Sequence, residues 1–273
     1  VSQEPPEDHI TRKTVVCRVP GMEDVIVRSN LEYGTGDGAG LVMDVYLPRE
    51  LEAGGVRPVV ISVAGYPDPG MERIFGKPYK DWGASSSWAR LIAASGMVAV
   101  TYANREPVAD LRRLLDHLRR KGSALGIDTR RLGLFAASGH APLALSALME
   151  SDPPARCAVL ICPLLLDLDG STAVADAATT FRFANPASGR TVEDLPADTA
   201  LFIARAGKDQ TPGLNQTLDR FVAGSLARNL DLTVINLAPA PHAFDLMHDG
   251  EASREAIREA LRFLRFHLLD PPA

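Results

Sequence analysis

Leu132 to Leu143 reads LGLFAASGHAPL, and the fold turns on the change of texture halfway through it. Arg131–Ala137 is a short apolar run of the kind a buried strand needs. Gly139–Met149 is rich in Ala and Leu and reads as a helix. Ser138 stands on the junction. A serine at so sharp a strand-to-helix turn needs small residues two positions to either side, because the backbone is strained and the next helix packs close. Ala136 fills the first of these positions; His140 occupies the second, where Gly is usual. Gly139 follows the serine directly and can offer its backbone N–H to an oxyanion. Taken alone, the segment also fits a serine that merely caps a helix start.

Outward from Ser138, apolar strands alternate with helical stretches. Pro58–Val63, Met97–Tyr102, Arg156–Cys162, Ala200–Ala204 and Leu232–Leu237 read as strands. Ser87–Ser95, Glu106–Lys121, Leu214–Arg228 and Glu251–Leu268 read as helices; the second carries Val108, Leu111, Leu114, Leu115 and Leu118 at helical spacing with arginines opposite. Earlier, Thr14–Val19 and Val25–Tyr33 read as extended, and Gly34–Gly40 is a turn that joins the latter to Leu41–Leu47 in a hairpin. This order predicts an α/β chain with a mainly parallel sheet and helices on both faces. Residues 13–273 form one domain in this reading, after a loose polar, Pro-rich arm over residues 1–12. Asp167–Pro196 has weak periodicity between two strands, so it is expected to act as a short cap.

Bulk properties agree with a folded globular chain. The 273 residues are 46% hydrophobic and 23% charged, with net charge −5. The densest basic run, Arg112 to Lys121, lies on the polar side of a helical pattern, so nucleic acid is not an expected partner. The longest apolar stretch, Cys157–Leu166, is about half a membrane span. Three cysteines, two of them on one strand, do not suggest a disulfide framework. The amino terminus has no apolar signal core, which favours the cytoplasm; an exported mature protein is the alternative.

Two further strand ends give Ser138 company. Ala200–Ala204 runs into Arg205-Ala206-Gly207-Lys208-Asp209, and Leu232–Leu237 runs into Ala238-Pro239-Ala240-Pro241-His242. In an open parallel sheet the loops at the carboxyl ends of the strands share one rim. Ser138, Asp209 and His242 are therefore expected together, although 71 and then 33 residues separate them. A serine hydroxyl becomes a good nucleophile when an imidazole removes its proton, and a carboxylate holds that imidazole in the right tautomer. Gly65, after the first parallel strand, permits close approach to a bound carbonyl, and the N–H of Tyr66 joins that of Gly139 as an oxyanion donor. Asp167 and Asp169 are alternative seats for the acid.

These motifs resemble the α/β-hydrolase superfamily, and within it the dienelactone-hydrolase-like and small-carboxylesterase branch. LVMDVYLP, VVISVAGY, FAASGH, ARAGKD and PHAF carry the resemblance, from about Leu41 to the final helix. It implies the chain order serine, acid, histidine, with Ser138, Asp209 and His242 in those roles, and cleavage of carboxylic esters without a cofactor. Polyester-cleaving relatives carry Gly-Tyr where Gly65-Tyr66 stands here. Two positions depart from the pattern: His140 replaces the second elbow glycine, and Ala64 a histidine. The named dienelactone hydrolases use cysteine where Ser138 stands, so esters rather than lactones are implied.

Other residues are weighed in the same way. Phe75, Tyr79, Trp82 and Trp88 are candidates for a substrate pocket, with Trp82 and Trp88 foremost beside Gly65. No His, Cys, Asp or Glu cluster has metal-ligand spacing. His248 and His267 read as structural. A small-molecule ester is the expected partner; a peptidase or amidase on the same scaffold, or a hydrolase-fold protein that only binds, are the rivals. His140→Gly is expected to be mild, since it restores the usual small residue.

Overall fold

In the computed structural model, residues 9–36, 39–152 and 154–269 are described. Eight strands among them form one sheet: β1 (Ile26–Gly36), β2 (Ala39–Leu47), β3 (Arg57–Ser62), β4 (Val98–Tyr102), β5 (Ile127–Ala137), β6 (Cys157–Ile161), β7 (Ala200–Ala206) and β8 (Leu232–Leu237). Their spatial order is β1-β2-β4-β3-β5-β6-β7-β8. β1 and β2 form an antiparallel hairpin and β2 adds antiparallel to β4, while β3 to β8 pair in parallel. The helices are α1 (Asp68–Phe75), α2 (Gly83–Ala94), α3 (Pro107–Lys121), α4 (Ala141–Glu150), α5 (Ala173–Phe181), α6 (Leu214–Ala227), α7 (Phe244–Met247) and α8 (Glu251–Leu268).

The sheet is covered on both faces, as its apolar strands require. Val59 and Ile61 of β3 pack with Leu111 and Leu114 of α3, Leu145 of α4 and Phe221 of α6. Val60, one residue out of phase, packs on the opposite layer with Trp88 and Leu91 of α2 and Ile257 and Leu264 of α8. That alternation places the two layers. Among the described residues no helix is long and apolar enough to cross a membrane.

Most expected elements occur within a residue or two of their sequence limits. Thr14–Val19 departs furthest: Val15 and Cys17 are buried, yet the stretch joins no ladder. It lies instead against α2 and α7, where Val15 N–H donates to Ser87 Oγ and Val16 N–H to the Asp245 carbonyl. Gly83 makes this approach close, since a Cβ there would lie 2.7 Å from the carbonyl oxygens of Arg12 and Lys13. Of the expected arm, residues 1–8 fall outside the described residues; Ile10–Arg12 forms a 3-10 turn with Thr11 buried. Asp37 and Gly38, the middle of the expected hairpin turn, also fall outside. The segment 167–196 contains α5 and a 3-10 turn at Val192–Asp194.

Candidate active site

β5 ends at Ala137, and Ser138 turns the chain into the 3-10 turn Ser138–His140 that leads to α4. The turn is sharp enough to force Ser138 to φ 52°, a left-handed conformation that costs a non-glycine residue about 1–2 kcal/mol. β7 carries Asp209 just past its end, and β8 carries His242 beyond Leu237. His242 Nε2 lies 2.9 Å from Ser138 Oγ, and its Nδ1 lies 2.5 Å from Asp209 Oδ2. The other Asp209 oxygen accepts from Thr211 N–H at 2.9 Å. Burial pushes the Asp209 carboxyl up, but these hydrogen bonds outweigh it and hold the group below its ordinary value. Close approach of the two loops depends on Gly207, where a Cβ would lie 2.5 Å from the Ala238 carbonyl oxygen.

The alternative acids serve elsewhere. Asp167 accepts the N–H groups of Val174 and Ala175, both at 2.9 Å, and so holds the start of α5. Asp169 sits in a turn at φ 54°.

The loop after β3 is fixed at almost every polar atom. Ala64 N–H donates to Tyr102 Oη at 3.2 Å, and Gly65 N–H to His140 Nδ1 at 2.8 Å. The carbonyls of Ala64 and Tyr66 both accept from Asn104 Nδ2, at 3.2 and 3.1 Å, and that of Gly65 accepts from Ala184 N–H at 2.8 Å. Asp68 braces Asn104 in turn, accepting its N–H and that of Tyr79, both at 2.8 Å. Burial pushes the Asp68 carboxyl up to about 6 despite those two bonds. One group in the loop is left over: Tyr66 N–H has no acceptor among the described residues, and neither has Gly139 N–H. Two free amides beside a nucleophile-like serine are what an oxyanion hole requires.

Gly65 differs from its expected role as a substrate contact. Its N–H and carbonyl are both engaged, and it is pressed behind the turn, where a Cβ would lie 3.0 Å from the Gly139 carbonyl oxygen and from His140 Cα. His140 differs too. Its ring is buried and clamps the loop, with Tyr79 4.3 Å and Tyr66 4.9 Å away between centroids. Burial holds its pKa down at about 3, so it is a neutral acceptor and no general base at working pH. The mildness expected of His140→Gly therefore does not follow.

A cavity of about 540 Å³ opens beside Ser138 and His242. Trp82 and Trp88 line it, with Phe75, Tyr79 and Tyr66. The segment after β6 covers one side with Thr180, Phe181 and Arg182, and Ala184 ties it to the loop after β3. Sequence spacing gave no sign of Cys162, whose Sγ lies with ligand atoms of Asp209 and His242 all within 4.8 Å of one another. Burial pushes its thiol well above its ordinary value.

No protein-family model matches the chain, and no curated protein sequence matches it. Solved structures do. Esterase LipW from Mycobacterium marinum matches with TM-score 0.64 and 17% identity over 88% of this chain and 81% of that one. An inhibited esterase B from Lactobacillus rhamnosis matches with TM-score 0.65 and 19% identity over 91% and 88% of the two chains. A thermophilic esterase from Thermogutta terrifontis matches with TM-score 0.63 and 19% identity over 90% and 95%. With its sheet order, its helices on both faces and these likenesses, the chain has the α/β-hydrolase fold.

Proposed function

We propose that this chain is a serine esterase that cleaves carboxylic esters through Ser138, His242 and Asp209. The observation that carries the reading is the relay from Ser138 Oγ through His242 to Asp209, at 2.9 and 2.5 Å, beside two unpaired amides. His242 Nε2 takes the Ser138 proton as Oγ attacks the ester carbonyl. The carbonyl π electrons move to oxygen, and the N–H groups of Tyr66 and Gly139 hold that oxyanion. Collapse expels the alkoxide, which takes the proton from His242, and leaves an acyl group on Ser138. Water, deprotonated by His242, then repeats the sequence and frees the acid. Asp209 stabilises the imidazolium in both halves.

The cavity suits a short acyl or aryl ester: it is about 540 Å³ and lined with aromatic rings. In keeping with that size, one similar structure, the Thermogutta terrifontis esterase, has propionate bound. LVMDVYLP and VVISVAGY support placing the chain near the dienelactone-hydrolase-like and small-carboxylesterase branch, and a serine at position 138 supports esters over lactones.

A fluorophosphonate probe should add one label, mapped by mass spectrometry to Ser138, and p-nitrophenyl acetate and butyrate should be turned over. Ser138→Ala should lose both. A folded chain that takes no label and cleaves none of these esters would instead be a hydrolase-fold binding protein.

A further inference from the structure

The esterase reading leaves one buried acidic group in the cavity without a task. Asp245, on α7 three residues past His242, lines the same cavity and is 3% exposed. One carboxylate oxygen accepts from Trp88 Nε1 at 2.8 Å, and no Lys or Arg pairs with the group among the described residues. An Asn could accept the same indole N–H without a charge, so holding Trp88 does not require a carboxylate. Burying an unpaired carboxylate is costly, and burial does raise the pKa of this one.

Its surroundings are aromatic. Phe75 and Trp82 meet edge to face at 4.9 Å and 75°, and Tyr79 leans on Trp82 at 5.7 Å. Trp88 lies 4.5 Å from Phe135 between centroids. All five line the cavity with Asp245. Ring faces carry negative charge and attract cations, most of all when water is excluded. A carboxylate that accepts the Trp88 N–H pushes electron density into that indole and strengthens the effect. Arg182, which also lines the cavity, is an exposed residue, where solvent screens it.

We propose that this cavity selects esters bearing an ammonium group, which seats among Tyr79, Trp82 and Trp88 with Asp245 as its counter-charge while Ser138 attacks the carbonyl. The proposal rests on the esterase reading for its reaction, but the cation site can be tested apart from it. Asp245 supplies the charge that an apolar ester pocket would lack, and the rings supply faces for methylated nitrogen.

The test compares butyrylcholine with its uncharged isostere, 3,3-dimethylbutyl butyrate. kcat/KM should favour the cation by at least about tenfold, the scale of one desolvated cation–π contact. In Asp245→Asn the ratio of the two, which is internally normalised, should fall towards one. Binding of phenyltrimethylammonium and of tert-butylbenzene to the wild-type chain, read by tryptophan fluorescence, needs neither a variant nor turnover. The cation should bind at least about tenfold more tightly. If p-nitrophenyl butyrate is cleaved while the neutral isostere equals or beats butyrylcholine, cation selection is wrong and the esterase reading stands. If no ester is cleaved yet phenyltrimethylammonium binds preferentially, the cation site stands and the esterase reading falls. Equal binding of the two probes overturns the site whatever the turnover.

Discussion

Removing the His140 imidazole should slow ester cleavage while leaving Ser138, His242 and Asp209 where they are. His140 Nδ1 is the acceptor for Gly65 N–H at 2.8 Å, and the residue is 6% exposed. His140→Gly leaves that N–H buried without a partner, at a cost of about 1–3 kcal/mol. The vacated ring space adds about 2 kcal/mol or more. The loop can recover part of this by shifting, and the shift carries Tyr66 N–H away from the oxyanion. Losing such a donor outright costs about 10²–10³ in rate, so a loosened one should cost at least about tenfold. The loss should fall on kcat rather than KM, because the donor acts on the developing charge. His140→Asn offers an oxygen near the place of Nδ1 and should recover most of the rate. The assay is p-nitrophenyl butyrate turnover over pH 6–9, with Tm measured beside it. Because His140 is neutral across that range, the deficit should be the same at every pH. A His140→Gly enzyme within about twofold of wild type in kcat would refute the clamp, since oxyanion donors weigh far more than that. So would a folded His140→Asn enzyme no better than His140→Gly.

Three further outcomes follow from the geometry. Ser138→Gly should abolish turnover yet raise stability by about 1 kcal/mol, because it relieves the left-handed backbone; a Tm rise of roughly 2–4 °C is expected, and a fall would show the turn is unstrained. Asp209→Asn should fold normally and lose about 10⁴ in kcat, whereas Asp167→Asn should keep its chemistry and weaken the start of α5; the reverse ranking would move the triad acid. The neutral, buried His140 should also shape acid stability. Its folded pKa lies below the ordinary histidine value, so its contribution is fully present above about pH 6.5 and is lost as pH falls towards 3. The stability of wild type relative to His140→Asn should therefore fall steadily between pH 7 and 4 in urea titrations; a constant difference would mean the imidazole is not desolvated.

That Ser138, Asp209 and His242 would meet was legible in the sequence because each follows an apolar strand, and parallel strands bring their carboxyl ends to one rim whatever the spacing along the chain. The clamp on the loop after β3 was not. His140 looked like a defect in a glycine pattern, and its partner, Gly65, lies 75 residues away. Asn104 and Asp68 belong to no motif at all, and only the fold shows which carbonyls they meet. Thr14–Val19 has the alternation of a strand, since Val15 and Cys17 face inward, but a helix rather than a ladder receives it. α1 and α5 were missed because one opens on Asp68-Pro69-Gly70 and the other spans nine residues of mostly Ala and Thr. Asp245 carried no sequence signal, because its burial comes from α2 and the segment before β1 rather than from its neighbours in the chain.

β8, whose following loop bears His242, has β7 on one side and no strand on the other among the described residues, and five of its six residues are partly buried or exposed, Leu237 alone being buried. Ser138 follows β5, which is paired on both sides. His242 and Ser138 are thus mounted on strands of unequal permanence. Edge strands open locally at a fraction of the free energy that a central strand needs. Brief fraying of β8 would lift the imidazole from the hydroxyl while the rest of the sheet stays shut, and amide hydrogen exchange should find β8 fast and β5 slow. Catalytic competence would then be lost, on warming, before the fold is.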